Sequence, residues 1–203
     1  MNINAKVNEL FDFALSRRTS VRGSVAGGTV ALATTAGLGR AFAQGLTDTD
    51  ILQFALTLEH LEARMYAEML ATNILTGKEK SYFTMFGDHE AAHVKAITST
   101  LTQMGATPVA AQSSYNFPPF NNRGDILNFA KMAEDIGVGA YQGAAAAITN
   151  KAILAAAGSI VQVEARHAAI INLLSGLDPV PSATTSSLTI DEVNAKVGPV
   201  LIS

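Results

Sequence analysis

The sequence predicts an all-α fold: an antiparallel four-helix bundle with one long crossover between the second and third helices. Three observations predict it. Apolar residues recur at helical spacing through most of the chain, and strand-like alternation is absent. A four-part signature occurs twice, as Glu59, Tyr66 and Glu90-x-x-His93, then as Glu134, Tyr141 and Glu164-x-x-His167. Its members are displaced by 75, 75, 74 and 74 residues, too long a period for a solenoid and suited to a duplicated helix pair. Between the copies lies Ala106–Gly124, where Pro108, Pro118 and Pro119 forbid a continuous helix.

The first helix follows Thr47-Asp48-Thr49-Asp50, whose oxygens suit an N-terminal cap. Ile51, Leu52, Ala55, Leu56, Leu58, Ala63, Met65, Met69 and Leu70 carry its apolar stripe, and it extends toward Gly77. The second runs from Lys78 to about Met104 and stops at Gly105; the short connection makes the pair antiparallel. Asp125 is expected to cap the third, which reaches about Thr149, and the fourth runs from the turn at Asn150 to Leu174, before Gly176. Gly137, Gly139 and Gly143 inside the third helix each cost about 1 kcal/mol relative to Ala. They suggest close approach by a neighbouring helix, with simple tolerance in an Ala-rich bundle as the alternative. After Asp178, Pro179, Pro181 and a Ser/Thr cluster lead to a short capped helix at Thr189-Ile190-Asp191-Glu192-Val193 and an apolar end that packs along the bundle or against a partner.

Residues 1–43 read as a leader. Arg17-Arg18 and Arg22 precede a mildly apolar run from Val25 to Leu38, and Ala41-Phe42-Ala43 offers small residues at a cleavage site. The order resembles a twin-arginine export signal cut after Ala43, with Ser20 where a bulky apolar residue is usual. A basic amphipathic N-terminus on a cytoplasmic protein is the alternative. Export implies a periplasmic or secreted protein, and the run is too short and too rich in Gly and Thr to leave a membrane anchor. The expected organisation is therefore a leader at 1–43, a bundle at 44–176 and a C-terminal extension at 177–203.

The formal charge is -3, but residues 1–43 carry five basic and two acidic residues, so the remainder carries nine and fifteen. That acidic balance does not invite nucleic acid. With no cysteine, disulfides, thiolate zinc sites and iron-sulfur clusters are excluded, so any metal is held by nitrogen and oxygen.

Residues three apart share a helix face, so Glu90 and His93 can address one ion, and so can Glu164 and His167. Tyr66 and Tyr141 follow Glu59 and Glu134 by seven residues, nearly two turns or about 10.5 Å along the axis. They therefore hydrogen-bond ligands, pass electrons or fill space beside the site, and do not ligate the same ion. Four buried carboxylates need four positive charges, which two divalent ions supply with both imidazoles neutral. Oxygen with imidazole suits iron or manganese, and zinc also binds such sets. Glu62, on a similar face to Glu59, is a reserve ligand or a partner of one; His60 and His89 point about 100° from their neighbours and read as surface residues.

At these residues, over roughly 47 to 175, the chain resembles the ferritin-like superfamily. The resemblance implies that Glu59 and Glu134 are terminal ligands, that Glu90 and Glu164 bridge, and that His93 and His167 give one imidazole to each metal. Leu58-Glu59-His60-Leu61-Glu62-Ala63, Val163-Glu164-Ala165-Arg166-His167-Ala168 and the Pro-containing tail are similar to the exported ferritin-like family that includes the plant desiccation-related proteins. Ala91 stands where bacterioferritins place a haem-ligating Met, so haem is not implied, and rubrerythrins need cysteines that this chain lacks. Manganese catalases have one Glu fewer, so the full set favours the di-iron type without excluding manganese. The expected function is an exported protein binding two iron or manganese ions that react with dioxygen or peroxide, as in iron oxidation or peroxide removal. The alternatives are a stress-protective or structural protein whose metal only stiffens the bundle, and an iron store, which needs a homo-oligomeric shell.

Overall fold

The computed structural model describes residues 45–201, so the leader and its cleavage after Ala43 lie outside the described residues. Five helices follow in order: α1 Asp48–Ala71, α2 Gly77–Gln103, α3 Arg123–Ala145, α4 Lys151–Leu174 and α5 Ile190–Val197. Among the described residues there is no strand, only an isolated antiparallel bridge between Tyr115 and Leu201. The all-helical architecture with a long second connection is the one predicted.

Helix ends follow local chemistry. Thr47 caps α1 in a capping box with Asp50, and Thr189 caps α5 in the same way with Glu192. Gly105 and Gly176 take φ of +78° and +74° beyond α2 and α4, a left-handed backbone that glycine adopts without strain. Three boundaries differ from expectation. α1 ends at Ala71, six residues before Gly77, because Asn73 turns to a φ of +57°. Asn122, not Asp125, is the N-cap of α3; its side chain accepts from the Asp125 N–H, and the Asp125 carboxylate takes the Asn121 N–H. α3 stops at Ala145 because Asp48 draws the Thr149 and Asn150 N–H groups to its carboxylate at 2.8 and 2.9 Å.

The core comprises two apolar layers with a polar layer between them. One layer joins Leu52 and Leu56 of α1 to Ile97 and Leu101 of α2, Tyr141 of α3 and Ile153 and Ile160 of α4. The other joins Met65, Tyr66 and Met69 to Phe83 and Phe86, Ile126 and Ala130, and Ile171. The start of α1 thus meets the end of α3, and the end of α1 meets its start, so these helices are antiparallel. The crossover achieves this by running back along α1, where Gln53 bonds the backbone of Thr107 and Val109.

The C-terminal segment lies along the bundle. Val193, Val197 and Val200 are buried against Leu58 and Leu61 of α1 and Ile136 and Ala140 of α3. The Leu188 N–H donates to the Gly139 carbonyl at 2.9 Å. A Cβ at Gly143 would lie 1.8 Å from the Leu188 carbonyl oxygen. The close approach expected at Gly139 and Gly143 is therefore made by this strap and not by a neighbouring helix.

Candidate metal centre

The polar layer receives Glu59 and Glu62 from α1, Glu90 and His93 from α2, Glu134 from α3, and Glu164 and His167 from α4. All are buried: the four Glu of the repeat are 0% exposed, both His 1% and Glu62 4%. Burial of this kind follows from the helical period, because each residue falls on the inward stripe between apolar residues of the two core layers.

The side chains converge as two overlapping sets. Glu59, Glu90, His93 and Glu164 bring one ligand atom each within 4.8 Å of one another, and so do Glu90, Glu134, Glu164 and His167. Glu90 and Glu164 belong to both. Each histidine turns its Nδ1 inward: His93 Nδ1 lies 2.9 Å from Glu90 Oε2 and 3.1 Å from both Glu59 Oε2 and Glu164 Oε1. His167 Nδ1 lies 3.0 Å from Glu90 Oε1 and 3.3 Å from Glu134 Oε2.

His93 Nδ1 is within hydrogen-bonding reach of Glu59 and Glu90, but much of the layer is unpaired. Glu90 Oε1, Glu134 Oε2, both oxygens of Glu164 and His167 Nδ1 are buried without a hydrogen-bond partner. Orphaned lone pairs that face one another repel, and each such group costs about 1–3 kcal/mol or more. A cation among them removes that cost, so the residues fit a bound metal, with oxygen and imidazole as its donors.

The tyrosines are crossed between the repeats. Tyr66 donates its hydroxyl proton to Glu134 Oε1, and Tyr141 donates to Glu59 Oε1. Each occupies the outer oxygen of a carboxylate and leaves the other oxygen facing inward. Each tyrosine thus bonds a carboxylate of the opposite repeat, because α1 and α3 are antiparallel. Tyr66→Phe is therefore expected to weaken metal at the set containing Glu134 about 10–100-fold, and Tyr141→Phe at the set containing Glu59. Chelator competition on the two variants checks this; weakening at the set of the same helix would contradict the crossed bonds.

Neither set includes Glu62. Its counterpart in the second repeat is Gly137, where an added Cβ would lie 3.1 Å from Glu62 Oε1 and 3.4 Å from Glu164 Oε2. Gly137 thus leaves room for a fifth carboxyl beside Glu164. His60 and His89, read from sequence as surface residues, are both half-buried: His60 Nε2 lies 3.3 Å from the Val109 carbonyl, and His89 Nδ1 lies 2.8 Å from His167 Nε2. Periodicity placed His89 off the ligand face but could not show that α4 passes there.

Burial raises the Glu59 carboxyl against the opposing pull of His93. It raises Glu62 and Glu134 well above the usual range, helped by the charge of Glu164. Glu90 reaches about 7 through burial and then the charge of Glu164. Burial alone would lower His93, but Glu59 first, with Glu164 and Glu90, takes it well above its ordinary value. His167 and His89 are each lowered by burial to about 4 and are neutral near pH 7.

These shifts carry opposite signs. His89 and His167, lowered from 6.5, add stability as pH rises from about 4 to 6.5 and nothing further above it. Glu90, raised from 4.5, loses stability as pH rises through about 7, and Glu62 and Glu134 extend that loss upward. With three such carboxyls against two histidines, the melting temperature of the metal-free protein is therefore expected to fall as pH rises from 4.5 through about 7 and beyond. With saturating Mn(II) the carboxyls are already deprotonated and the fall disappears, as thermal unfolding at several pH values will show.

A family model described as a ferritin-like domain matches residues 47–177. The chain belongs to the ferritin-like domain family. No curated protein matches it. The ferritin-like match spans α1 to α4 and so contains all seven buried carboxyl and imidazole groups of the centre. The strap formed by residues 188–201 lies beyond it. Among the described residues no helix is long and apolar enough to cross a membrane.

Proposed function

We propose that the protein is an exported di-metal carboxylate protein, binding two iron or manganese ions that react with dioxygen or peroxide. The observation that carries this is the pair of ligand sets sharing Glu90 and Glu164, whose orphaned oxygens face both positions. Four carboxylates balance two divalent ions, and Glu62 stands outside both ligand sets. Held by Glu59, Glu90, His93, Glu134, Glu164 and His167, such a pair of ions would supply the two electrons that reduction of a peroxide to two waters requires, with two protons taken up.

The chain's own groups set the conditions. Glu90 and Glu164 hold both positions at once, while Tyr66 and Tyr141 fix which oxygen of Glu134 and Glu59 turns inward. Glu62 lies over Gly137, beside Glu164, within the buried layer. The apolar layers on either side exclude bulk water, which strengthens every charge interaction between them. Arg17 and Arg18 in the leader support export of the folded chain, so metal is acquired before export and the mature protein begins at Gln44.

Anaerobic loading with Fe(II), followed by air or peroxide, tests metal, oxidant and turnover together. Near-ultraviolet absorbance of oxidised iron with matching loss of oxidant is the expected result; sub-stoichiometric metal after reloading would overturn it. The near-complete burial of the site favours a second, structural reading, in which metal raises the melting temperature and no oxidant is consumed.

A further inference from the structure

His89 stands outside both ligand sets, yet it is the hydrogen-bonding neighbour of one ligand. Its Nδ1 lies 2.8 Å from His167 Nε2, and the two rings meet edge to edge, with centroids 5.1 Å apart and planes 15° apart. Phe86 packs against the His167 ring at 4.3 Å. The inner nitrogen of His167, Nδ1, makes no hydrogen bond, although Glu90 Oε1 and Glu134 Oε2 lie 3.0 and 3.3 Å away.

A neutral imidazole has one N–H, so its proton must sit on one side or the other. On Nδ1 it finds no hydrogen-bond partner. On Nε2 it donates to His89 Nδ1 and leaves the Nδ1 lone pair facing the carboxylates. The second repeat has no equivalent: the residue 74 positions after His89 is Val163, whose side chain accepts no hydrogen bond.

We propose that His89 is a positioning residue that holds His167 as the Nε2–H tautomer, free to ligate through Nδ1, and thereby makes the set of Glu90, Glu134, Glu164 and His167 the tighter of two cation positions. The affinity half rests on the di-metal reading above; the tautomer half does not. Outer partners that orient a ligating histidine contribute about 10–100-fold in metal affinity.

Long-range ¹⁵N–¹H spectra of the metal-free chain are expected to show His167 as the Nε2–H tautomer. His89→Leu should mix the tautomers, and His89→Asn, whose Oδ1 falls near the place of Nδ1, should restore the wild-type form. His89→Gln moves the acceptor outward and should behave as His89→Leu does, which covers a leucine variant that fails to fold. Titration with Co(II), followed by visible absorption, should show two steps in the wild type. In His89→Leu the tighter step weakens about 10–100-fold while the other is unchanged, and His89→Asn recovers it. An Nδ1–H tautomer in the wild type, tautomers indifferent to residue 89, or equal weakening of both steps would overturn the proposal. A wild type that takes up no Co(II) while the tautomer results hold removes the di-metal reading and the affinity half, and leaves the positioning of His167 standing.

Discussion

Glu164→Gln is expected to abolish both metal-binding steps, whereas Glu134→Gln abolishes one. Glu164 belongs to both ligand sets, and both of its buried oxygens lack a hydrogen-bond partner. A glutamine keeps the shape but offers one neutral carbonyl, which cannot serve two cations. The metal-free protein should respond in the opposite direction. The charge of Glu164 raises the carboxyls of Glu62, Glu90 and Glu134, so its removal relieves repulsion in a layer that water does not reach. Taking a charge out of water among like charges is costly, so a neutral group of the same shape offsets the loss of the Glu164 contact with His93. Metal-free melting temperature should therefore hold or rise in Glu164→Gln, while the increase produced by Mn(II) vanishes. Calorimetric titration and thermal unfolding read the two effects separately. If Glu164→Gln still took up one ion as tightly as Glu134→Gln, the sets would not share this residue.

The second large effect is expected at the strap. Gly143→Ala improves intrinsic helix propensity by about 1 kcal/mol, so on α3 alone it would stabilise. The added Cβ would lie 1.8 Å from the Leu188 carbonyl oxygen, and backbone cannot yield as a side-chain tip does. The strap must lift, exposing Val193, Val197 and Val200, each buried residue of this kind being worth about 1.5–3 kcal/mol. Full exposure of all three, less the propensity gain, costs roughly 3–8 kcal/mol, with new proteolytic cleavage before Thr189. Gly158→Ala is the internal control. Nothing lies within 4 Å of the added Cβ in α4, so the propensity gain stands and the protein should gain about 0.5–1 kcal/mol. Equal behaviour of the two variants would show that the strap does not press on α3.

The six repeat residues were legible in the sequence because the chemistry repeats with the helix period. Glu-x-x-His places both groups on one face, and a second copy at nearly constant offset marks the same face on another hairpin. What escaped depends on contacts between distant segments. Asp48 ends α3 by drawing in backbone N–H groups of Thr149 and Asn150, about a hundred positions away, which no local pattern announces. The glycines of α3 were visible as anomalies, but their neighbours were not: Glu62 lies over Gly137, and Leu188 over Gly139 and Gly143. His89 was misjudged because its direction on α2 was known and the position of α4 was not. The crossing of the tyrosines likewise required the relative direction of α1 and α3.

That crossing has a mechanical consequence. With each hydroxyl engaged by the carboxylate of the opposite hairpin, neither hairpin can assemble half of the centre alone. A slip of one hairpin past the other by a single turn, about 5.4 Å, would break both tyrosine bonds and separate the shared carboxylates from their partners. The centre is thus a gauge of alignment between two halves tied by a long, helix-free connection. A metal would be held only where the halves meet in register, and its tight retention would report that they have done so.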